Sequence, residues 1–142
     1  MNTIKSILIT GCSSGIGFYA AQQLHLEGYQ VFASARAPED VERLKQLGLN
    51  SLQLDLDDSL SIRNGVLRVL EETGGELHAL FNNGAYGLPG AIEDLSRDAL
   101  RAQFETNVFG THELTRQVLE IMRKQGYGRI IHNSSILGFA AM

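Results

Sequence analysis

Short apolar runs alternate with longer amphipathic stretches along the chain. The short runs are rich in β-branched residues and predict five strands, at residues 6–9, 30–35, 51–54, 79–81 and 129–132. The longer stretches carry apolar side chains at helical spacing and predict four helices, at residues 16–27, 38–47, 59–72 and 97–124. This alternation is typical of βαβ units built around a parallel sheet.

Residues that favour helix ends lie at these boundaries. Gly28 and Gly48 follow the first two helices, and Pro38 begins the second. Ser59 and Ser96 lie where the next two begin, and a serine hydroxyl there can accept a backbone N–H bond. Right-handed crossovers between successive strands then predict an α/β fold, a doubly wound, Rossmann-like sheet in the order 3-2-1-4-5. Such a sheet binds its ligand at the carboxyl ends of the strands.

Composition narrows the class of protein. At 142 residues and 44% hydrophobic, the chain predicts one domain over residues 1–142, without an internal linker. The net charge of −4, with 12 scattered lysines and arginines, argues against nucleic-acid binding. One cysteine, Cys12, excludes an internal disulfide and a metal cluster of the cysteine-pair kind, and we expect no metal site. Neither a secretory signal nor a membrane span is apparent, so we expect a cytoplasmic protein.

The clearest chemical signal is a glycine-rich run directly after the first strand, at the start of an apolar-faced helix. A strand that turns through glycines into a helix directs unpaired N–H groups and the positive helix dipole at one spot, which suits a pyrophosphate. The spacing departs from G-x-G-x-x-G, and a tight turn without a ligand is the alternative. The run, expected to bind a nucleotide cofactor, contains Thr10, Gly11, Ser13, Ser14, Gly15, Ile16 and Gly17.

The end of the second strand indicates which dinucleotide binds. An acidic residue there would hydrogen-bond a free ribose 2′-OH, whereas an arginine would pair with a 2′-phosphate. This chain has Arg36 at that place, so we predict NADP rather than NAD. The alternative is that Arg36 is a solvated surface charge while Glu39 or Asp40 folds back onto the ribose.

Polar residues also follow the third and fourth strands. Asp55 could accept a hydrogen bond from the adenine amino group, or could simply be an acid at the entry to the next helix. Asn82 and Asn83 precede Gly84, and on their own these residues fit an ordinary loop better than a cofactor site. Asn107 lies in the middle of a predicted helix, where an amide lowers helix propensity without offering a cap. A local contact that uses Asn107 is therefore expected, with a plain surface position as the alternative.

The last strand carries His132 and leads to Ser134 and Ser135. Serines after a strand are usually turn formers. His132 fits a packed core histidine better than a base. The sequence contains neither a nucleophile elbow nor a carboxylate pair arranged for acid–base catalysis.

Taken together, these motifs resemble the short-chain dehydrogenase/reductase family over essentially the whole chain. Within the family the likeness is to the NADP-using branch of 17β-hydroxysteroid and retinol dehydrogenases and bacterial aldehyde reductases. The matching segments are residues 10–17, Asp55 with Leu56, residues 82–85, residues 107–110 and residues 128–135.

The resemblance implies an NADP-dependent oxidoreductase that transfers a hydride between the nicotinamide and a small carbonyl or alcohol substrate. The resemblance implies that Asp55 and Leu56 contact the adenine, and that Asn83 and Gly84 support the cofactor pocket. Ser135 would polarise the substrate carbonyl, and the backbone around Asn107 would hold a proton-relay water. A tyrosine would transfer the proton, its pKa lowered by a lysine. The helix at 97–124 resembles the family's subunit-pairing element, so a homo-oligomer is expected.

Two departures from the family pattern stand out. Gly84 and Ala85 reverse the usual order of alanine before glycine, which puts the local backbone path in doubt. No Tyr-x-x-x-Lys occurs in the 142 residues, and the family's later strands would also follow Met142. We therefore expect the front part of a longer reductase, incomplete at its C-terminus and inactive alone. The alternative is a short dinucleotide-binding or sensor module without catalysis.

Overall fold

The computed structural model describes residues 4–140, and the predicted outer boundaries at residues 1 and 142 lie outside them. Its centre is a five-stranded parallel sheet in the order β3-β2-β1-β4-β5, which confirms the predicted order. The strands are β1 (Ser6–Ile9), β2 (Gln30–Ala35), β3 (Ser51–Gln53), β4 (Ala79–Asn82) and β5 (Arg129–His132).

Helices connect successive strands on both faces of the sheet. They are α1 (Gly15–Leu26), α2 (Pro38–Gln46), α3 (Ser59–Thr73), α4 (Arg97–Phe104) and α5 (Thr111–Gln125). The predicted single helix over 97–124 is thus two helices, joined by a wide π turn at Glu105–Gly110. At the end of this turn Gly110 packs on the backbone of Leu56, where an added Cβ would lie 1.9 Å from the Leu56 carbonyl oxygen.

Both faces of the central strands β1 and β2 are buried, which explains why these strands are apolar without alternation. On one face, Leu8, Phe32 and Leu80 pack with residues of α3 and α5. On the other, Ile9 and Val31 pack with residues of α1 and α2. The carboxyl ends of the strands therefore share one edge between two helical layers.

The helix ends largely follow the sequence prediction. Gly28 and Gly48 adopt left-handed backbone angles after α1 and α2, with φ of +88° and +83°. Ser96 caps α4 by accepting a hydrogen bond from Ala99 N at 3.1 Å.

The predicted cap at Ser59 is wrong. Asp58 has the extended backbone of a capping residue, and its carboxylate accepts from Leu60 N at 2.9 Å. Ser59 is already helical, and its hydroxyl instead donates to Glu113 at 2.8 Å. The carboxylate one residue earlier therefore takes the capping role.

The prediction that His132 packs in the core is also wrong. Within residues 4–140, β5 pairs with β4 on one side and is mostly exposed, and His132 is exposed with it. Its Nδ1 atom lies 3.3 Å from the Asn82 amide nitrogen. The apolar character of the strand suggested burial, but among residues 4–140 no strand pairs with the outer edge of β5, and this side chain is exposed.

Candidate functional site

A cleft of about 380 Å³ lies at the carboxyl edge of the sheet, above β1, β2, β3 and β4. Seven of the predicted cofactor-binding residues line it: Thr10, Gly11, Ser13, Arg36, Asp55, Leu56 and Gly84. The other residues along its wall are Ala35, Leu54, Ala85, Tyr86 and Thr106. Residues far apart in the sequence thus meet at the edge where an open α/β sheet binds its ligand.

The glycine-rich loop after β1 is packed too closely to accept side chains at two positions. A Cβ on Gly11, whose φ is +69°, would lie 2.7 Å from Gly84 Cα. A Cβ on Gly17 would lie 2.4 Å from the Gly11 carbonyl oxygen and 2.5 Å from the Asn83 amide nitrogen. These glycines let the loop fold against the start of α1 and the end of β4.

The start of α1 is open toward a ligand. Ser14 holds the capping position with an extended backbone, but its side chain makes no capping hydrogen bond, and the first turn has no acidic residue. Gly15 adopts φ +57°, and no atom lies within 4 Å of the place where its Cβ would be. The N–H groups of this first turn, with Ile16 among them, can therefore bind an external anion, as helix N-termini do.

Side-chain hydrogen bonds fix the loop to the neighbouring strands. The buried Thr10 hydroxyl accepts from Asn83 N at 3.0 Å and from Gly84 N at 2.8 Å. The Asn83 amide nitrogen donates to the carbonyl oxygens of Thr10 and Gly11, at 3.0 and 3.1 Å. Its amide oxygen accepts from Asn133 at 3.0 Å. Asn83 therefore joins the ends of β1, β4 and β5.

The two charged residues of the cleft differ in their surroundings. Arg36 is exposed directly after β2. Asp55 is half-buried and accepts a hydrogen bond from Asp57 N at 3.0 Å, so it also shapes the entry to α3. The Asp40 carboxylate pairs with Arg43 at 2.8 Å.

Tyr86 and Thr106 are cleft residues that the sequence did not single out. The Asn107 side chain makes two hydrogen bonds to the backbone of Tyr86. Its amide oxygen accepts from Tyr86 N at 3.1 Å, and its amide nitrogen donates to Tyr86 O at 2.8 Å. The sequence predicted that Asn107, an amide inside a helix, makes a contact of its own, and these two hydrogen bonds are that contact. The sequence contained the signal at Asn107 but not the identity of its partner 21 residues away.

Ser135 lies outside the cleft lining, after β5. Its hydroxyl oxygen accepts from Leu137 N at 3.1 Å and caps a short 3₁₀ turn at Ile136–Gly138. In these contacts it behaves as a turn former, and its O–H hydrogen is still available for another acceptor.

Cys12 is buried beside the loop and donates a hydrogen bond to Ile9 O at 3.2 Å. Burial raises the pKa of its thiol to about 12, so the thiol is a poor nucleophile. Among residues 4–140 no three acidic, histidine or cysteine side chains are grouped so as to hold a metal ion. No helix in the same part of the chain is long and apolar enough to cross a membrane.

Comparison with known proteins places these features in a family. The family model described as short chain dehydrogenase matches residues 5–142. The uncharacterized oxidoreductase YbbO of Escherichia coli K12 is 41% identical over 134 residues, which are 94% of this chain and 50% of that protein. The NADPH-dependent 1-acyldihydroxyacetone phosphate reductase of Schizosaccharomyces pombe is 33% identical over 141 residues, covering 98% of this chain and 47% of the reductase.

The fold agrees with solved structures. An actinorhodin polyketide ketoreductase variant crystallised with NADPH superposes with a TM-score of 0.88 at 31% identity, covering 98% of this chain and 56% of that one. The chain thus spans about half the length of the relatives that it matches. The match to the family model over nearly all of its residues shows that this chain belongs to the short-chain dehydrogenase family.

Proposed function

We propose that this chain provides the NADP(H)-binding part of a reductase or dehydrogenase. The observation that carries the proposal is that the glycine-rich loop and an exposed arginine at the end of β2 line one cleft, and that this loop leads directly into a helix start without a side-chain cap. The loop with its helix start suits a pyrophosphate and the arginine a 2′-phosphate. Two relatives support this choice, since one is named as NADPH-dependent and the other was crystallised with NADPH.

Each part of the coenzyme has a candidate partner. The loop around Gly11 and the first turn of α1 would hold the pyrophosphate. Arg36 would pair with the 2′-phosphate through its planar guanidinium, which matches a phosphate better than a point charge does. The half-buried Asp55, beside Leu56, would accept from the adenine amino group. Bound there, the coenzyme supplies or accepts a hydride at its nicotinamide ring.

The proposed substrate is a carbonyl compound or the corresponding alcohol. Ser135 would donate its O–H to the substrate oxygen, because its oxygen already accepts from the backbone and its hydrogen is unused. Asn107 uses both ends of its amide on Tyr86, so its side chain would not transfer a proton itself. The π turn around Asn107 would instead offer backbone groups to a water that relays the proton.

A titration with the two coenzymes tests this proposal. We expect the chain to bind NADPH more tightly than NADH in isothermal titration calorimetry. Arg36→Asp should weaken NADPH binding by about ten- to a hundredfold, because a charged hydrogen bond is lost and a repulsive charge added. NADH binding should change little, since NADH has no 2′-phosphate.

Arg63→Asp is the matched control. Arg63 is exposed on α3 and does not line the cleft, so the variant reproduces the change in net charge away from the site. It should leave the preference for NADPH as it is in the wild type. An Arg36→Asp chain that still prefers NADPH to the same degree would contradict the assignment of Arg36.

A further inference from the structure

We infer that Arg43, outside the cleft, is a positioning residue that determines selectivity for the 2′-phosphate. Arg43 joins the glycine-rich loop to α2 and pairs with the carboxylate of Asp40, four residues after Arg36. The inference rests on the proposed function and extends it, because the cleft lining does not contain Arg43.

Three contacts hold the Arg43 guanidinium. Its Nη2 atom donates to the Ser13 carbonyl oxygen at 2.5 Å and to Asp40 Oδ1 at 2.8 Å. Its Cζ atom lies 6.0 Å from the centre of the Phe18 ring, within the range of a cation–π interaction. One side chain of α2 thus contacts its own helix, the loop after β1, and α1.

The Asp40 carboxylate creates a conflict that Arg43 resolves. Acidic residues are favourable in the first turn of a helix, and Asp40 lies in the first turn of α2. That turn begins two residues after Arg36, so an unpaired carboxylate there would repel a 2′-phosphate bound by Arg36. Arg43, three residues after Asp40, pairs with it and reduces this repulsion.

The contact with Ser13 orders the wall of the cleft. Ser13 lines the cleft, and its carbonyl oxygen points to Arg43. In a trans peptide the following N–H points opposite to the carbonyl, so the N–H of Ser14 is directed away from Arg43. Arg43 therefore fixes the orientation of one peptide plane in the loop that would hold the phosphates.

The two roles predict an unequal loss in coenzyme binding. Arg43→Ala should weaken NADPH binding by about five- to tenfold, a range set by one charged hydrogen bond and one partly exposed ion pair. NADH lacks the phosphate that an unpaired Asp40 repels, so only the lost contact with Ser13, which affects the pyrophosphate of both coenzymes, should weaken its binding, by about twofold. Adding Asp40→Asn to Arg43→Ala should restore most of the NADPH affinity.

Calorimetric titration of the 142-residue chain with NADPH and NADH tests the inference. Lys45→Ala is the matched control, because Lys45 forms an ion pair with Glu42 at the same spacing on α2, at 3.7 Å, and does not line the cleft. This control should bind both coenzymes as the wild type does.

The outcomes separate the inference from the proposed function. A selective loss of NADPH binding in Arg43→Ala, recovered by Asp40→Asn, supports the inference. If the wild-type chain binds NADPH, but Arg43→Ala loses affinity equally for both coenzymes or not at all, the inference is overturned and the proposed function stands. A wild-type chain that binds neither coenzyme contradicts the proposed function, and the inference is overturned with it.

Discussion

Replacing Gly17 by alanine should damage both the fold and the coenzyme site. The added Cβ would lie 2.4 Å from the Gly11 carbonyl oxygen and 2.5 Å from the Asn83 amide nitrogen. Neither atom can move freely, because Gly11 belongs to the loop backbone and the Asn83 amide donates to two carbonyl oxygens. The substitution therefore forces the loop away from α1 and loosens the hydrogen bonds of Asn83.

The size of the effect follows from three contributions. Overpacking against fixed atoms costs about 1–3 kcal/mol. Weakening the hydrogen bonds of Asn83 adds about 1 kcal/mol. Alanine is the better residue inside a helix, and this returns about 1 kcal/mol. We expect a net loss of about 2 kcal/mol in the free energy of unfolding, and at least tenfold weaker NADPH binding because the phosphate loop is displaced.

Urea unfolding and NADPH titration of the same variant measure both effects. Gly87→Ala is the control, since no atom lies within 4 Å of its added Cβ, and its free energy of unfolding should change by about 0.5 kcal/mol or less. If Gly17→Ala has the same free energy of unfolding and the same NADPH affinity as the wild type, the site does not require the close packing of the loop.

Two further predictions concern buried groups near the loop. Thr10→Val should lower the free energy of unfolding by about 2–4 kcal/mol in urea titrations, because the N–H groups of Asn83 and Gly84 lose their acceptor. Thr10→Ser keeps the hydroxyl, and equal losses in both variants would refute this reason. Cys12 should react with iodoacetamide at pH 8.5 far more slowly in the folded chain than in urea, and equally fast labelling would be inconsistent with burial. Because its pKa is raised in the fold from an ordinary 9.0 to about 12, the contribution of Cys12 to stability should be complete below pH 9 and decline between pH 9 and 12.

The sequence predicted the sheet well because the sheet depends on local patterns. Apolar runs located all five strands, and glycines marked the helix ends at Gly28 and Gly48. The cleft lining was largely predictable for a related reason. The carboxyl ends of parallel strands share one edge, so residues such as Thr10, Arg36 and Asp55 meet once the strand order is known.

Features that depend on distant contacts were not predictable. The π turn lies where Gly110 meets Leu56 and where Asn107 binds Tyr86, contacts that no local pattern encodes. Tyr86 and Thr106 were missed as cleft residues because neither carries a local signal. His132 is exposed because, among residues 4–140, β5 pairs with β4 alone, and apolar neighbours in the sequence do not reveal which strands pair.

A crystal structure of the chain with NADPH tests the central claim most directly. The account predicts the pyrophosphate against the first turn of α1, beside Gly15, and the 2′-phosphate within hydrogen-bonding distance of the Arg36 guanidinium. Density for the coenzyme at another place, or a cleft without coenzyme at saturating NADPH, would contradict it.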